Sequence, residues 1–372
     1  MSYQNLKIES IEIYKSRIKL IEPFVISLGL LEYAENVIVV IRTDKGISGF
    51  GECSPFKTIN GESIDTCFVV GQYLANVLKG KDAVNIDACL KSMDAVIYGN
   101  TSVKSAFDIA LYDIASQNAG LPLFKFLGGD NKKVLTTDYT VSIGNSEKMV
   151  ADAQKIVANG FQIIKVKLGE SKEQDVERIR LIRDSVGTSI PIRIDANQGW
   201  GTDEAIQTLI ALAPYTIQHC EEPIARWNYM ELPLVRKQSP IPIMADESCC
   251  DENDAKRLVD LEACDLFNVK LGKSAGISRA LKIIRKAEEA NLKIQVGGFL
   301  ESRLGFTAAA HLALVSDSIV HYDFDTPLMF CQDPVRGGIV YSKGGVVTIP
   351  DNIGLGVSID ESYLSQLEKV VV

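Results

Sequence analysis

The chain has 372 residues, 46% of them hydrophobic and 23% charged, an ordinary globular balance without the signature of disorder. That length exceeds one small domain and suits a barrel of about 250 residues plus a second module. The net charge of −9 argues against a nucleic-acid partner, which would need a basic stripe, and no apolar run reaches the length of a membrane span.

The first third reads as α+β. Residues 6–17 and 36–52 alternate apolar and polar side chains, with Asp44-Lys45-Gly46 as the turn between two strands. From about residue 62 to 127 the period becomes helical. Thr101 and Ser102 offer N-caps for a helix carrying Ala106, Ile109, Ala110 and Ile114, and Gly120-Leu121-Pro122 stops it. These elements predict an α+β capping domain over 1–127, joined by the C-terminal segment from about 350 to 372.

From about residue 135 short apolar runs alternate with longer amphipathic ones. The runs are Leu135–Val141, Ile163–Lys167, Ile192–Asp195, Ile217–Glu221, Pro242–Asp246, Leu266–Lys270, Lys293–Val296 and Ile319–Asp323. Their ends recur about every 24 to 30 residues, the length of one strand-loop-helix unit. Such a series predicts an α/β catalytic domain over 128–349, a (β/α)7β TIM-like barrel behind the cap. No Gly-x-Gly-x-x-Gly opens any of the helices, which disfavours a Rossmann sheet.

The informative feature lies where the strands end. Five runs in succession finish on Lys167, Asp195, Glu221, Asp246 and Lys270, and barrel active sites are built from such C-terminal strand ends. Three carboxylates converging on one point repel, so a cation must neutralise them. A hard divalent ion with oxygen ligands does so, which points to Mg²⁺, one per subunit. Zinc is disfavoured, because His219, His311, His321 and the eight cysteines do not share this spacing. Glu222 is the alternative to Glu221, but strand alternation turns the two to opposite faces. Lys165 and Lys167, two apart, point the same way. Lys167 on the second strand and Lys270 on the sixth stand on opposite sides of an eight-stranded barrel. Lys165 and the metal are expected to lower the pKa of Lys167 toward that of a useful base. That arrangement suits removal of the proton α to a carboxylate by one lysine and delivery to the other face by its opposite.

Lys165-Val-Lys167, Asp195-Ala-Asn-Gln-Gly-Trp200, Glu221-Glu-Pro223, Asp246-Glu-Ser248 and Asn268-Val-Lys270 resemble the enolase superfamily, muconate-lactonizing subgroup, over nearly the whole chain. The resemblance implies Lys167 and Lys270 as the acid/base pair and Asp195, Glu221 and Asp246 as Mg²⁺ ligands. Gln295-Val-Gly-Gly-Phe299 lacks the histidine of the mandelate-racemase branch. His321-Tyr-Asp323-Phe-Asp325-Thr-Pro327 is similar to the eighth-strand signature of dipeptide epimerases of the L-Ala-D/L-Glu type. In those enzymes Asp323 and Asp325 would hold the α-ammonium group of the dipeptide. Their capping loop carries an arginine for the glutamyl side chain, and Gly29 stands at the matching place here. Without that cation, and with Phe299 beside Gly297 and Gly298, the expectation is a roomy apolar pocket for hydrophobic or aromatic dipeptides. Closure of the loop near 20–31 is expected by analogy.

The nearest alternatives keep the same lysines and ligands: o-succinylbenzoate synthase, N-acylamino-acid racemase or muconate cycloisomerase. Their substrates have no free α-ammonium, which leaves Asp323 and Asp325 without a role. A non-catalytic metal-binding scaffold is the remote alternative, and no lysine or ligand is missing to support it. Asn197 and Asn268 are expected to orient ligands from behind. Glu301-Ser-Arg303 is expected at a helix N-terminus near the substrate. His219, His311 and Trp200 read as packing residues, and the run Glu170–Asp175 as a solvated helix face. The absence of an apolar leader core after Met1 and of any C-x-x-C pair predicts a cytoplasmic protein with reduced cysteines, and family practice predicts a homo-oligomer.

Overall fold

The computed structural model describes residues 5–372; the four residues with which the expected capping domain begins lie outside it. The cap is a four-stranded antiparallel sheet in the order Lys369–Val371, Ile8–Ile26, Gly29–Thr43, Ser48–Cys53. Its edge partner comes from the C-terminus, with Glu12 opposite Val371. The first two strands form a long hairpin that runs beyond the expected strand, so the stretch near 20–31 is β-structure ending in the Ile26–Gly29 pair. Helices Ile64–Leu78, Ile86–Val96 and Thr101–Asn118 cover the sheet. The last of these packs so closely on Ser48–Cys53 that a Cβ at Gly51 would lie 1.8 Å from the carbonyl oxygen of Ala106. Only glycine fits there. Thr101 and Ser102 do not cap this helix. Asn100 is the capping position without a side-chain bond, and Glu62 accepts the N–H groups of Ser102 (2.9 Å) and Val103 (3.3 Å) instead. A carboxylate at the N-terminus satisfies the free donors and complements the helix dipole.

Eight parallel strands follow in sequential order: Tyr139–Val141, Ile164–Lys167, Ile192–Asp195, Ile217–Glu221, Ile243–Ala245, Leu266–Lys270, Lys293–Gly297 and Ile319–Tyr322. A helix follows each of the first seven, giving the (β/α)7β order. The run Leu135–Val141 is not one strand. Leu135–Thr136 turns aside to pair with Val346–Thr348, and only Tyr139–Val141 enters the barrel. Among the described residues the first and eighth strands share no ladder; two side-chain bonds and one long backbone bond join them. Phe324 N–H donates to Thr137 Oγ1 (2.8 Å), Thr140 N–H to Asp325 Oδ2 (2.7 Å), and Asp138 N–H reaches Tyr322 O at 3.4 Å.

One apolar core fills the barrel and reaches cap residues Tyr14, Ile38, Val40 and Ile109, a second fills the cap, and a small cluster of Ile18, Leu20, Ala34, Leu300, Met329 and Phe330 lies between them. Polar clamps fix the join. Glu52 of the cap accepts the N–H groups of Ser302 (3.1 Å) and Gly305 (2.9 Å), capping the helix Arg303–Ala313. His311 accepts Phe124 N–H at 3.0 Å, which makes it the structural residue expected. Trp200 packs as expected and donates to Asp175 Oδ2 at 2.9 Å. Asp175 is therefore buried, against the solvated reading of its run, because it also accepts the loop N–H groups of Gly169 and Glu170. All eight cysteines are free; Cys331 is exposed and Cys250 half-buried. Among the described residues no helix is long and apolar enough to cross a membrane.

Candidate active site

The strands deliver their charged ends to one mouth of the barrel, under the cap. Lys167 pairs with Asp195 and Asp195 with Glu221 across successive ladders, so these side chains share one level. Asp195, Glu221 and Asp246 are completely buried. Lys165 Nζ lies 2.8 Å from Glu221 Oε2, 2.8 Å from Asp323 Oδ2 and 3.2 Å from Asp195 Oδ2. Lys167 Nζ contacts Asp195 Oδ2 at 2.6 Å, and Lys270 Nζ contacts Asp246 Oδ2 at 2.6 Å. The two lysines come from the second and sixth strands, four apart in the order.

Supporting groups fix the carboxylates. Asn268 Nδ2 donates to Glu221 Oε1 (2.9 Å) and Gln295 Nε2 to Glu221 Oε2 (3.1 Å). The backbone N–H of Asn197, not its amide, donates to Asp195 Oδ1 at 2.8 Å. Glu222 turns away to accept Asp246 N–H (2.6 Å) and Ser248 Oγ (3.0 Å), so Glu221 is the member of the pair that faces the lysines. Lys273, which strand spacing did not reveal, is buried with Nζ 2.8 Å from Asp246 Oδ1. It stands in the loop past the sixth strand, where no period applies.

Electrostatics follow from burial and partners. Burial raises the pKa of Glu221, but Lys165, Lys270 and Lys167 outweigh it and hold the carboxyl well below the usual range. Burial depresses Lys270, yet Asp246 and Glu221 hold it above an ordinary lysine. Lys165 is likewise held up, against burial, by Asp323, Glu221 and Asp195. Glu222 is pushed up to about 7, chiefly by burial. Burial and the adjacent Asp323 raise Asp325 to about 7.

Asp138, Asp195, Glu221, Glu222, Asp246, Glu247, Asp323 and Asp325 are all buried around the mouth, against the buried bases Lys165, Lys167, Arg193, Lys270 and Lys273. The carboxyl groups outnumber the bases, and an all-oxygen set with excess negative charge fits a hard divalent cation. Asp195, Glu221 and Asp246 bring the strand-end geometry for it. Among the described residues, however, the acids whose oxygen atoms lie within 4.8 Å of one another are Asp138, Asp323 and Asp325. Lysine ammonium groups stand between the other three.

The cavity above these groups measures about 40 Å³ and is lined by Lys165, Lys167, Lys270, Asn197, Asp323, Asp325, Gly298 and Phe299, with Phe24, Ile26, Leu31 and Phe56 from the cap. Phe24 stands over Lys167 (6.0 Å from ring centre to Nζ) and Phe299 over Lys270 (5.0 Å). Charged and polar side chains from the strand ends make up half of its lining, and aromatic rings narrow the side toward the cap, so it is not the roomy apolar pocket expected. Gly298 is required by packing, since a Cβ there would sit 2.5 Å from Phe306 Cζ and 2.8 Å from Glu301 Oε2. Gly29 is not in this cavity. It lies at the hairpin tip with φ +135° and lines an outer pocket of about 270 Å³, with Leu28, Leu30 and Tyr33, because the hairpin turns Leu31, Ile26 and Phe24 inward instead. Arg303 also points away from the cavity, to Asp333 and to the carbonyl oxygen of Ile339 (3.1 Å). His219 is buried within the barrel, its ring 5.0 Å from that of His321, and burial keeps it neutral.

Comparison with known proteins places this architecture. Residues 8–128 match the mandelate racemase / muconate lactonizing enzyme N-terminal domain, and residues 148–363 match the enolase C-terminal domain-like family. The D-Ala-D/L-Ala epimerase of Cytophaga hutchinsonii is 61% identical over 365 residues, covering 98% of this chain and 99% of that protein. The L-Ala-D/L-Glu epimerase of Bacillus subtilis is 39% identical, covering 95% and 97%. The crystal structure of a dipeptide epimerase from Cytophaga hutchinsonii with Mg and the dipeptide D-Ala-L-Val superposes with a TM-score of 0.98 at 60% identity, covering 99% of this chain and 100% of that one. With both domain models matched and relatives aligned end to end, the chain belongs to the enolase superfamily, in its mandelate racemase/muconate lactonizing branch.

Proposed function

We propose that the protein is an Mg²⁺-dependent dipeptide epimerase, an isomerase that inverts the α-carbon of the C-terminal residue, with a preference for small apolar dipeptides. The observation that carries this reading is the coexistence, around one small cavity, of opposed Lys167 and Lys270 with the carboxylate pair Asp323 and Asp325. The similarity to epimerases that act on Ala-Ala and Ala-Glu dipeptides supports it.

Asp195, Glu221 and Asp246 would hold Mg²⁺, which stabilises negative charge developing on the substrate carboxylate. Lys167 would take the α-proton on one side and Lys270 return a proton on the other, with the roles exchanged in reverse. Asp323 and Asp325 would bind the ammonium group and so fix the peptide's direction. Phe24 and Phe299 exclude water from the lysines, and Asn268 and Asn197 hold the carboxylates in place. Similarity to an epimerase named for Ala-Ala dipeptides, and to a dipeptide epimerase bound to D-Ala-L-Val, favours alanyl- or valyl-sized side chains among the hydrophobic or aromatic ones expected from the sequence. Free, mostly buried cysteines fit a reducing compartment and support the cytoplasmic reading.

The test is α-proton exchange in D₂O, followed by NMR with Mg²⁺ present, on L,L-dipeptides with acidic, basic, aliphatic and aromatic C-termini and on N-succinyl amino acids. Metal-dependent exchange at the C-terminal α-carbon of Ala-Ala and Ala-Val is expected. Exchange confined to N-succinyl compounds would overturn the assignment.

A further inference from the structure

Beneath the cavity, at the seam between the first and eighth strands, three buried carboxylates converge. Asp138, Asp323 and Asp325 present oxygen atoms within 4.8 Å of one another. Asp323 and Asp325 line the cavity, while Asp138 lies behind them. Two bases face the group: Lys165, 2.8 Å from Asp323 Oδ2, and Arg193, 2.8 Å from Asp138 Oδ2. Arg193 is itself fixed on every side, donating to Tyr322 O (3.1 Å) and Gln218 Oε1 (3.0 Å) and contacting His321 Nδ1 (3.0 Å). Asp325 Oδ2 is taken by the N–H of Thr140.

These bonds leave Asp138 Oδ1 and Asp325 Oδ1 fully buried with no hydrogen-bond partner. Ionised together, the three acids would carry one more negative charge than Lys165 and Arg193 supply, and Lys165 is shared with Asp195 and Glu221 as well. A buried acceptor and a buried charge without partners are both costly, and natural interiors retain them where something completes the set. An ammonium group brings one positive charge and three N–H donors, which matches the deficit in charge and in donors. Burial and the adjacent Asp323 hold Asp138 well above the ordinary carboxylate range when only the two bases oppose it.

Resting on the dipeptide reading above, we propose that Asp138, anchored by Arg193, is the third carboxylate of the ammonium subsite. It is a positioning residue that sets the negative charge behind Asp323 and Asp325, and it thereby selects free-amine dipeptides over N-acylated ones.

The experiment compares wild type, Asp138→Asn and Asp138→Glu, each with Mg²⁺. It measures kcat and KM for L-Ala-L-Ala, the inhibition constant of N-acetyl-L-Ala-L-Ala, the Mg²⁺ dependence and thermal unfolding. Asp138→Asn is expected to raise KM at least tenfold with kcat within threefold, and to leave binding of the N-acetyl compound and of Mg²⁺ unchanged. Asp138→Glu, which keeps the charge, is expected to stay within threefold of wild type in KM. Unchanged discrimination in a folded Asp138→Asn protein would overturn the inference, as would a fall in kcat alone. A tenfold loss of Mg²⁺ affinity with discrimination intact would make the cluster a metal site and overturn it too. Should Asp138→Asn not fold, Asp138→Glu decides: retained discrimination supports the inference and lost discrimination overturns it. A wild-type enzyme that does not prefer the free amine would overturn the functional reading and the inference together; a failure in the variants alone leaves that reading in place.

Discussion

Phe56 separates two spaces, and its removal should change which dipeptides the enzyme accepts. The inner cavity of about 40 Å³ and the outer pocket of about 270 Å³ share Phe56, Leu31 and Leu300 as their common wall. The Phe56 ring packs against Phe299 with centroids 5.7 Å apart, so it also braces the ring over Lys270. Phe56→Ala should join the spaces and give a C-terminal leucyl side chain an apolar place. Leucine exceeds alanine by three carbons, and at about 0.8 kcal/mol per buried carbon the gain approaches about 2.4 kcal/mol. At about 1.4 kcal/mol per tenfold this is up to about fiftyfold in the kcat/KM ratio of L-Ala-L-Leu to L-Ala-L-Ala. The half-buried ring should cost about 2 kcal/mol of stability, below the figure for a fully buried phenylalanine. Epimerisation of both dipeptides by polarimetry or NMR, with parallel thermal unfolding, reads the two effects separately. A ratio within twofold of wild type, in a folded variant, would show that the substrate side chain does not run toward Phe56, and the reasoning from the shared wall would fail.

Other perturbations address the remaining parts of the site. Lys167→Ala and Lys270→Ala should each lower epimerisation by about 10²- to 10⁴-fold, and each should abolish deuterium exchange starting from one epimer more severely than from the other; retention of epimerisation within tenfold by either variant would exclude the paired roles. Asn268→Ala removes the 2.9 Å donor to Glu221 and should weaken Mg²⁺ activation by about 10- to 100-fold, read from metal titration of activity. Asp325, held up to about 7 by burial and Asp323, must be ionised to pair with an ammonium group, so kcat/KM for dipeptides should fall as pH drops through that value. It should fall again above about pH 8 as the substrate amine loses its proton, a bell that a pH–rate profile would show. Gly298→Ala meets Phe306 and Glu301 and should cost about 1–3 kcal/mol of stability, measured by denaturant unfolding, together with reduced activity from displacement of Phe299.

What the sequence could reveal divides along physical lines. Strand period and unit length are local properties, so the eight strands, the inward lysines and the charged strand ends could be read directly. Side-chain direction in a strand follows position alone, which is why Lys165 and Lys167 fall on one face. The same rule applied to Arg193, two before Asp195, would have placed it inside the barrel. Its meaning, however, depends on Asp138, 55 residues earlier and across the seam, and no period connects them. Lys273 and the capping carboxylate Glu62 sit in loops, where reach rather than repeat decides the contact. Leu135–Val141 looked continuous because β-propensity does not report which sheet a strand joins; a competing edge at Val346–Thr348 took its first two residues.

The pocket shows the same division most sharply. Apolar residues of the cap line part of it, but its shape arises from how a twisted hairpin aims its residues. Ile26 and Leu31 turn inward while Gly29 faces the outer pocket. An arginine at that hairpin tip would therefore act from the outer pocket, through the wall of Phe56 and Leu31. A side chain at position 29 and the residues around the inner cavity would thus act on the substrate from separate places. A cation at the first would meet acidic side chains, whereas the second presents apolar rings.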